Sequence, residues 1–194
     1  MKGDDFNTEL DGVAIISMNC RFPGADNITE LWDNLKNGRT SVRKYSDEEL
    51  LDAGVEKSLL SNPNYVKSGS HINGKEFFDA AFFGYTPREA ECIDPQHRLF
   101  LECAWETFEL AGYNPDAYNG LVGVFGGCGT SDYLLKNIAF NPDISETLGN
   151  FQIMISNDND YFTSRVSYKL NLKGPSINIQ TACSTSLVAV CMGY

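Results

Sequence analysis

The sequence predicts a layered α/β fold. Short apolar runs bounded by turn residues recur along the chain, and segments of helical periodicity separate them. No internal repeat or low-complexity stretch interrupts that alternation. Of the 194 residues, 42% are hydrophobic and 12% aromatic, which suffices for one sizeable core, so one domain or a part of one is expected.

Residues 1–11 are polar and read as a flexible N-terminus, with the domain proper over 12–194. Val13-Ala14-Ile15-Ile16 reads as a short buried strand, closed by the turn Phe22-Pro23-Gly24. Asn27 followed by Glu30 resembles a capping box, and Ile28, Leu31, Trp32 and Leu35 follow at helical spacing until Gly38. Residues 39–75 carry no strong periodicity, with one short helix expected around Asp47–Leu51. Phe77, Phe78, Phe82 and Phe83 form an aromatic cluster that calls for burial. Thr86-Pro87-Arg88-Glu89 is a capping box with proline at the first helical position.

A second helix start follows at Asp94-Pro95. Leu99, Phe100, Cys103, Ala104, Thr107, Phe108 and Ala111 then mark one face up to Gly112. Leu121–Phe125 reads as a strand entering Gly126-Gly127-Cys128-Gly129. Tyr161, Phe162, Val166 and Leu170 predict a helix ended by Lys173-Gly174-Pro175. Ser176–Thr181 alternates as a strand does, and Leu187–Val190 opens a segment apolar all round.

A formal net charge of −11 argues against nucleic acid or an anionic membrane as principal partner. The local run of Lys36, Arg39, Arg43 and Lys44 reads as a solvated loop and helix end. No apolar run is long enough for a membrane span, and the first residues lack the pattern of a secretory signal, so a cytoplasmic location is expected. The six cysteines (Cys20, Cys92, Cys103, Cys128, Cys183, Cys191) show no CxxC pair and no metal-ligand spacing. Five of them read as small buried hydrophobes.

Cys183 differs. It stands where a strand passes through small residues (Thr181, Ala182, Ser184) into an apolar helix. Unpaired N–H groups at a helix start stabilise a thiolate and can also hold the oxyanion of a tetrahedral intermediate. Read from the residues alone, the position suits either a nucleophile or a buried inert thiol.

Four ordered blocks narrow that choice. Ile177–Val190 (INIQTACSTSLVAV) closely resembles the active-site block of ketosynthase (β-ketoacyl synthase) domains of modular polyketide synthases. Gly12–Gly24 (GVAIISMNCRFPG) is similar to the family's opening strand and loop. Asp94–Gly112 (DPQHRLFLECAWETFELAG) resembles its most recognisable helix, and Asp160–Pro175 (DYFTSRVSYKLNLKGP) the segment leading to the nucleophile.

The resemblance implies a thiolase-like layered α/β/α fold, present here as its N-terminal half and usually homodimeric. It implies Cys183 as catalytic nucleophile, with the Cys183 backbone N–H as an oxyanion donor. Acyl groups would arrive on the phosphopantetheine of acyl carrier protein domains, with no directly bound cofactor and no metal. Decarboxylative condensation with a malonyl-type unit would follow.

The family's catalytic histidines belong to its C-terminal half, whereas this sequence ends eleven residues past Cys183. The two histidines present, His71 and His97, match no catalytic position; a loop role is expected for the first and a helix-end or surface role for the second. A complementary C-terminal half is therefore an expected partner, and a non-elongating acyl-transfer module or inactive fragment is the alternative reading. The segment 187–192 would lack a covering layer, at a cost on the order of 25 cal/mol per Å² of apolar surface left in water, so the isolated chain is expected to be poorly stable. The glycine run 126–129 fits neither GxGxxG nor GxxxxGK[ST], and close backbone packing explains it better than nucleotide binding.

Overall fold

Two short parallel strands hold the centre of the molecule, β3 (Val124–Gly126) and β4 (Ser176–Asn178), in the register Val124↔Ser176, Phe125↔Ile177 and Gly126↔Asn178. The computed structural model describes residues 12–194, so the loose N-terminus expected over 1–11 lies outside the described residues. Backbone pairing continues past both strand ends. Gly174 N–H donates to Val122 O at 2.9 Å, Val124 N–H to Pro175 O at 2.7 Å and Ile179 N–H to Gly126 O at 2.8 Å.

The main helices form where the sequence supplies their caps. Helix α1 (Ile28–Lys36) is capped by Asn27, which accepts from Glu30 N–H; α2 (Asp47–Asp52) follows the capping box of Ser46 and Glu49. One turn, α3 (Lys57–Leu60), and a two-residue antiparallel hairpin, β1 (Arg43–Lys44) with β2 (Ser68–Gly69), fill the 39–75 region. Thr86 and Glu89 close the capping box of α4 (Pro87–Cys92). Asp94 caps α5 (Pro95–Ala111), which ends on Gly112 at φ 74°, a left-handed stop that glycine adopts without penalty. Helices α6 (Pro142–Asn157), α7 (Phe162–Lys169) and α8 (Thr185–Gly193) complete the set.

Alternation along β3 sorts the layers. Val124 joins Leu101 of α5, Val166 of α7, Phe83 and Leu170 in the main core, and the position of Gly126 abuts Phe100 and Phe162. Phe125, on the other face, lies against Gly193 of α8. Helices therefore cover both faces of the β3–β4 pair, which is the α/β/α layering expected. A second cluster of Cys92, Ile138 and Ile144 packs α6 beneath α4.

Several expectations need correction. Val13–Ile16 is not a buried strand: among the described residues it belongs to neither sheet, and Val13, Ile15 and Ile16 are 67%, 76% and 65% exposed. A strand exists only where a neighbour completes its ladder, and among the described residues no strand pairs with this segment. The apolar stripe of α1 meets the same fate, with Trp32 and Leu35 exposed. The aromatic cluster splits, since Phe83 is buried with Phe78 stacked on it while Phe77 is exposed. Helix α6 and the π-helical turn Leu134–Ile138 have no counterpart among the elements expected from sequence. The cap Asn141-Pro142 is a usable signal for α6, but its periodicity breaks at Gly149, whose φ/ψ of 74°/158° is non-helical.

Candidate active site around Cys183

The connection from β4 to α8 turns sharply. Ala182 takes φ 52°, a left-handed conformation that costs a non-glycine residue about 1 kcal/mol, and a single 3₁₀ turn (Ala182–Ser184) leads into α8. Hydrogen bonds knit the turn together. Thr181 N–H donates to Thr185 Oγ1 at 3.0 Å, and Ser184 Oγ donates to Thr181 O at 2.9 Å. Thr185 N–H donates back to Ala182 O. Cys183 sits at the centre of this turn with its side chain exposed, one residue before the cap of α8. The small residues on either side are what permit so tight a corner.

An open cleft of about 1180 Å³ lies over the turn. Cys183, Thr185, Ser186 and Val190 form one wall, Gly126–Thr130 the other, and Phe100 and Phe125 supply apolar surface. The glycine run has a steric explanation. A Cβ on Gly127 would stand 2.0 Å from Ile179 O and 2.6 Å from Thr185 Cγ2, so only glycine lets the β3 exit lie against the strand that delivers Cys183.

Cys128 faces the same cleft, where its Sγ donates to Asn159 Oδ1 at 3.2 Å. Burial, with the Asp94 carboxylate adding to it, pushes the Cys128 thiol up to about 11, so it stays protonated near neutrality. Sequence reasoning missed Cys128, Asn159 and Gln180 as cleft residues. They come from three separate segments: the parallel pairing of β3 with β4 brings Cys128 beside Gln180, and Asn178 Nδ2, donating to Asp160 O at 2.6 Å, fastens the turn that carries Asn159 to β4.

Neither histidine lines this cleft. His71 is exposed and shares a hydrogen bond with Tyr45 Oη at 3.1 Å, in keeping with a loop role. His97 overturns its surface assignment. It is 1% exposed, its ring lies edge-on to Phe162, and Arg165 Nε donates to its Nδ1 at 3.4 Å. Burial first, then the Arg165 charge, hold its pKa down to about 4 against the opposing pull of Asp94 and Asp158, so the ring is neutral. The reading of five cysteines as buried also needs amendment: Cys20 and Cys92 are buried, Cys103 and Cys128 partly so, and Cys191 is exposed. The basic run is solvated as expected, with Arg43 paired to Glu49 at 2.8 Å and stacked over Tyr45.

The family model described as the beta-ketoacyl synthase N-terminal domain matches residues 10–194. The chain belongs to the β-ketoacyl synthase family. The chain is 44% identical over 184 residues to a phenolphthiocerol/phthiocerol polyketide synthase polypeptide of Mycobacterium tuberculosis, an alignment covering 92% of the chain and 12% of that protein. It is 39% identical to erythronolide synthase EryA3 of Saccharopolyspora erythraea, covering 93% of the chain and 6% of that protein.

Among solved structures, ketosynthase twelve of the bacillaene polyketide synthase from Bacillus amyloliquefaciens superposes with a TM-score of 0.77 at 37% identity, over 90% of this chain and 30% of that one. The oxazolomycin ketosynthase domain from Streptomyces albus gives 0.75 at 30% identity, over 92% of this chain and 30% of that one. The fold is therefore the thiolase-like one expected, represented by its N-terminal part, and the chain spans under a third of the length of each of these relatives and structures. No helix among the described residues is long and apolar enough to cross a membrane.

Proposed function

We propose that this chain is the nucleophile-bearing part of a β-ketoacyl synthase of polyketide assembly, with Cys183 as the residue that accepts the acyl group. The observation that carries the reading is the exposed Cys183 at the entry to α8, on the wall of an open cleft, within a chain of this family. The Cys183 thiolate attacks the carbonyl carbon of an acyl thioester carried on phosphopantetheine. The tetrahedral intermediate collapses to acyl-Cys183, and the carrier thiolate leaves and takes a proton. The backbone N–H of Cys183 is the proposed donor to the intermediate's oxyanion. A malonyl-type thioester then loses carbon dioxide, its enolate carbon attacks acyl-Cys183, and the Cys183 thiolate departs.

Neither histidine of residues 12–194 is placed to stabilise that enolate, because His97 is walled into the core and His71 lies in a loop away from the cleft, so the proposed stabilising groups lie outside these residues. The proposed partners are acyl carrier protein domains, a second copy of the domain in a homodimer, and the complementary C-terminal half of the fold. Neither step calls for a metal or a redox cofactor. Residues 12–194 are proposed to be the N-terminal part of the ketosynthase domain, in a cytoplasmic setting.

The test is acylation of the complete domain with an acyl thioester, followed by peptide mass mapping. The expected outcome is one acyl group on Cys183, lost in Cys183→Ala. An adduct that survives that substitution would sink the assignment, and loading without extension on addition of a malonyl thioester would mark a non-elongating module instead.

A further inference from the structure

Two cysteines outside the Cys183 cleft come together at the side of α5. Cys20 and Cys103 line one pocket of about 400 Å³, together with Arg21, Leu99 and Phe100. Both are free thiols. Their proximity follows from how the loop after residue 18 is fastened to α5. Asn19 Nδ2 and Arg21 Nη2 both donate to the Glu106 carboxylate, so the residues flanking Cys20 are tied to one side chain of α5. Cys103 lies three residues before Glu106 on the same helix, which puts the two on one face. Asn19 Oδ1 accepts from Cys20 N–H at 2.8 Å, and Arg21 Nη1 also donates to Asp26 O at 2.8 Å, so the loop is held on both sides of Cys20.

We propose that Cys20 and Cys103 form a thiol pair that low-molecular-weight disulfides convert to an intramolecular disulfide, covalently fastening the N-terminal loop to α5. In the first step the thiolate of one cysteine attacks a sulfur of RS–SR, giving a mixed disulfide and releasing RS⁻. In the second, the other cysteine gives up its proton to solvent and its sulfur displaces the second RS⁻. Both cysteine sulfurs are oxidised, RS–SR is reduced to two RSH, and atoms and electrons balance.

The surroundings fit a slow, selective reaction. Burial raises both thiols, Cys103 to about 11, while the Arg21 guanidinium opposes that rise at both, and Glu102 and Glu106 add to it at Cys103. Neither thiol takes part in the role proposed for Cys183.

The purified native polypeptide is incubated with oxidised glutathione at mildly alkaline pH, quenched with N-ethylmaleimide and digested without reduction by a glutamate-specific protease. Cleavage after Glu102 and Glu106 separates Cys103 from Cys128. The expected product is a Cys20 peptide joined to a Cys103 peptide, abolished by a reducing agent, absent from Cys20→Ser and Cys103→Ser, and retained in Cys183→Ala. The wild-type map decides the question even if a substituted chain fails to fold. Recovery of Cys20 and Cys103 on separate peptides, alkylated or glutathionylated, would overturn the proposal. So would cross-links spread evenly over Cys128, Cys183 and Cys191.

Discussion

Replacing Gly127 with alanine tests whether the wall opposite Cys183 is set by backbone contact. The new Cβ would stand 2.0 Å from Ile179 O, where real Cβ atoms keep at least 3.0 Å, so something must move by about 1 Å. The obstacle is a carbonyl of the segment leading to Cys183 and cannot rotate aside as a side chain could. Gly127 does not adopt a positive φ, so the penalty is steric alone. Overpacking of this kind costs about 1–3 kcal/mol, and because the complete domain is larger than this chain each kcal/mol lowers its Tm by less than about 4 °C. A shift of about 1 Å in a reacting group lowers rate by about 10²-fold, so acylation of Cys183 should fall more steeply than stability does.

Gly129→Ala is the matched control, because its Cβ would meet only Gln96 Oε1 at 3.6 Å, an ordinary contact. The assay is a thermal melt beside the initial rate of Cys183 acylation, both in the complete domain. Wild-type melting and loading in Gly127→Ala would refute the steric argument, as would equal damage from the two substitutions.

Acid should destabilise the fold through His97. Its folded pKa is about 4 against 6.5 in the unfolded chain, so its contribution is intact above pH 6.5 and is lost as the pH falls toward 4, amounting to about 2 kcal/mol by pH 5. Denaturation midpoints at pH 7 and pH 5 should therefore differ by more in the wild type than in His97→Gln, in which Arg165, Asp94 and Asp158 remain; equal differences would count against a buried neutral imidazole. The 194-residue chain on its own should scatter light increasingly with concentration, because Ile15, Leu187, Val190 and Met192 are 76%, 68%, 71% and 53% exposed. A soluble monomer with one sharp, cooperative melt would contradict that expectation.

Local chemistry makes much of this molecule legible in its sequence. Thr86 with Glu89 and Asp94 with Pro95 start their helices, and Gly112 ends one, because caps and left-handed stops act over a few residues that are neighbours in the chain. The strand–turn–helix around Cys183 is readable for the same reason, as is the family, through four ordered blocks. Burial is not. The stripes of Val13–Ile16 and α1 have the pattern of covered surfaces yet face solvent, since a pattern records what a face suits and only a neighbour can supply cover.

His97 shows the converse. A polar residue in a first helical turn suggests surface, but the packing of α5 against α7 encloses it beside Phe162 and Arg165. Cys128 reaches the Cys183 cleft, and Cys20 the side of α5, through contacts between residues more than fifty positions apart in the chain. Sequence thus determined the capped helices between Gly84 and Gly112, the turn at Cys183 and the class of fold, which depend on near neighbours. Tertiary structure alone decided which surfaces are covered and which groups share a site, because those depend on distant segments meeting in space.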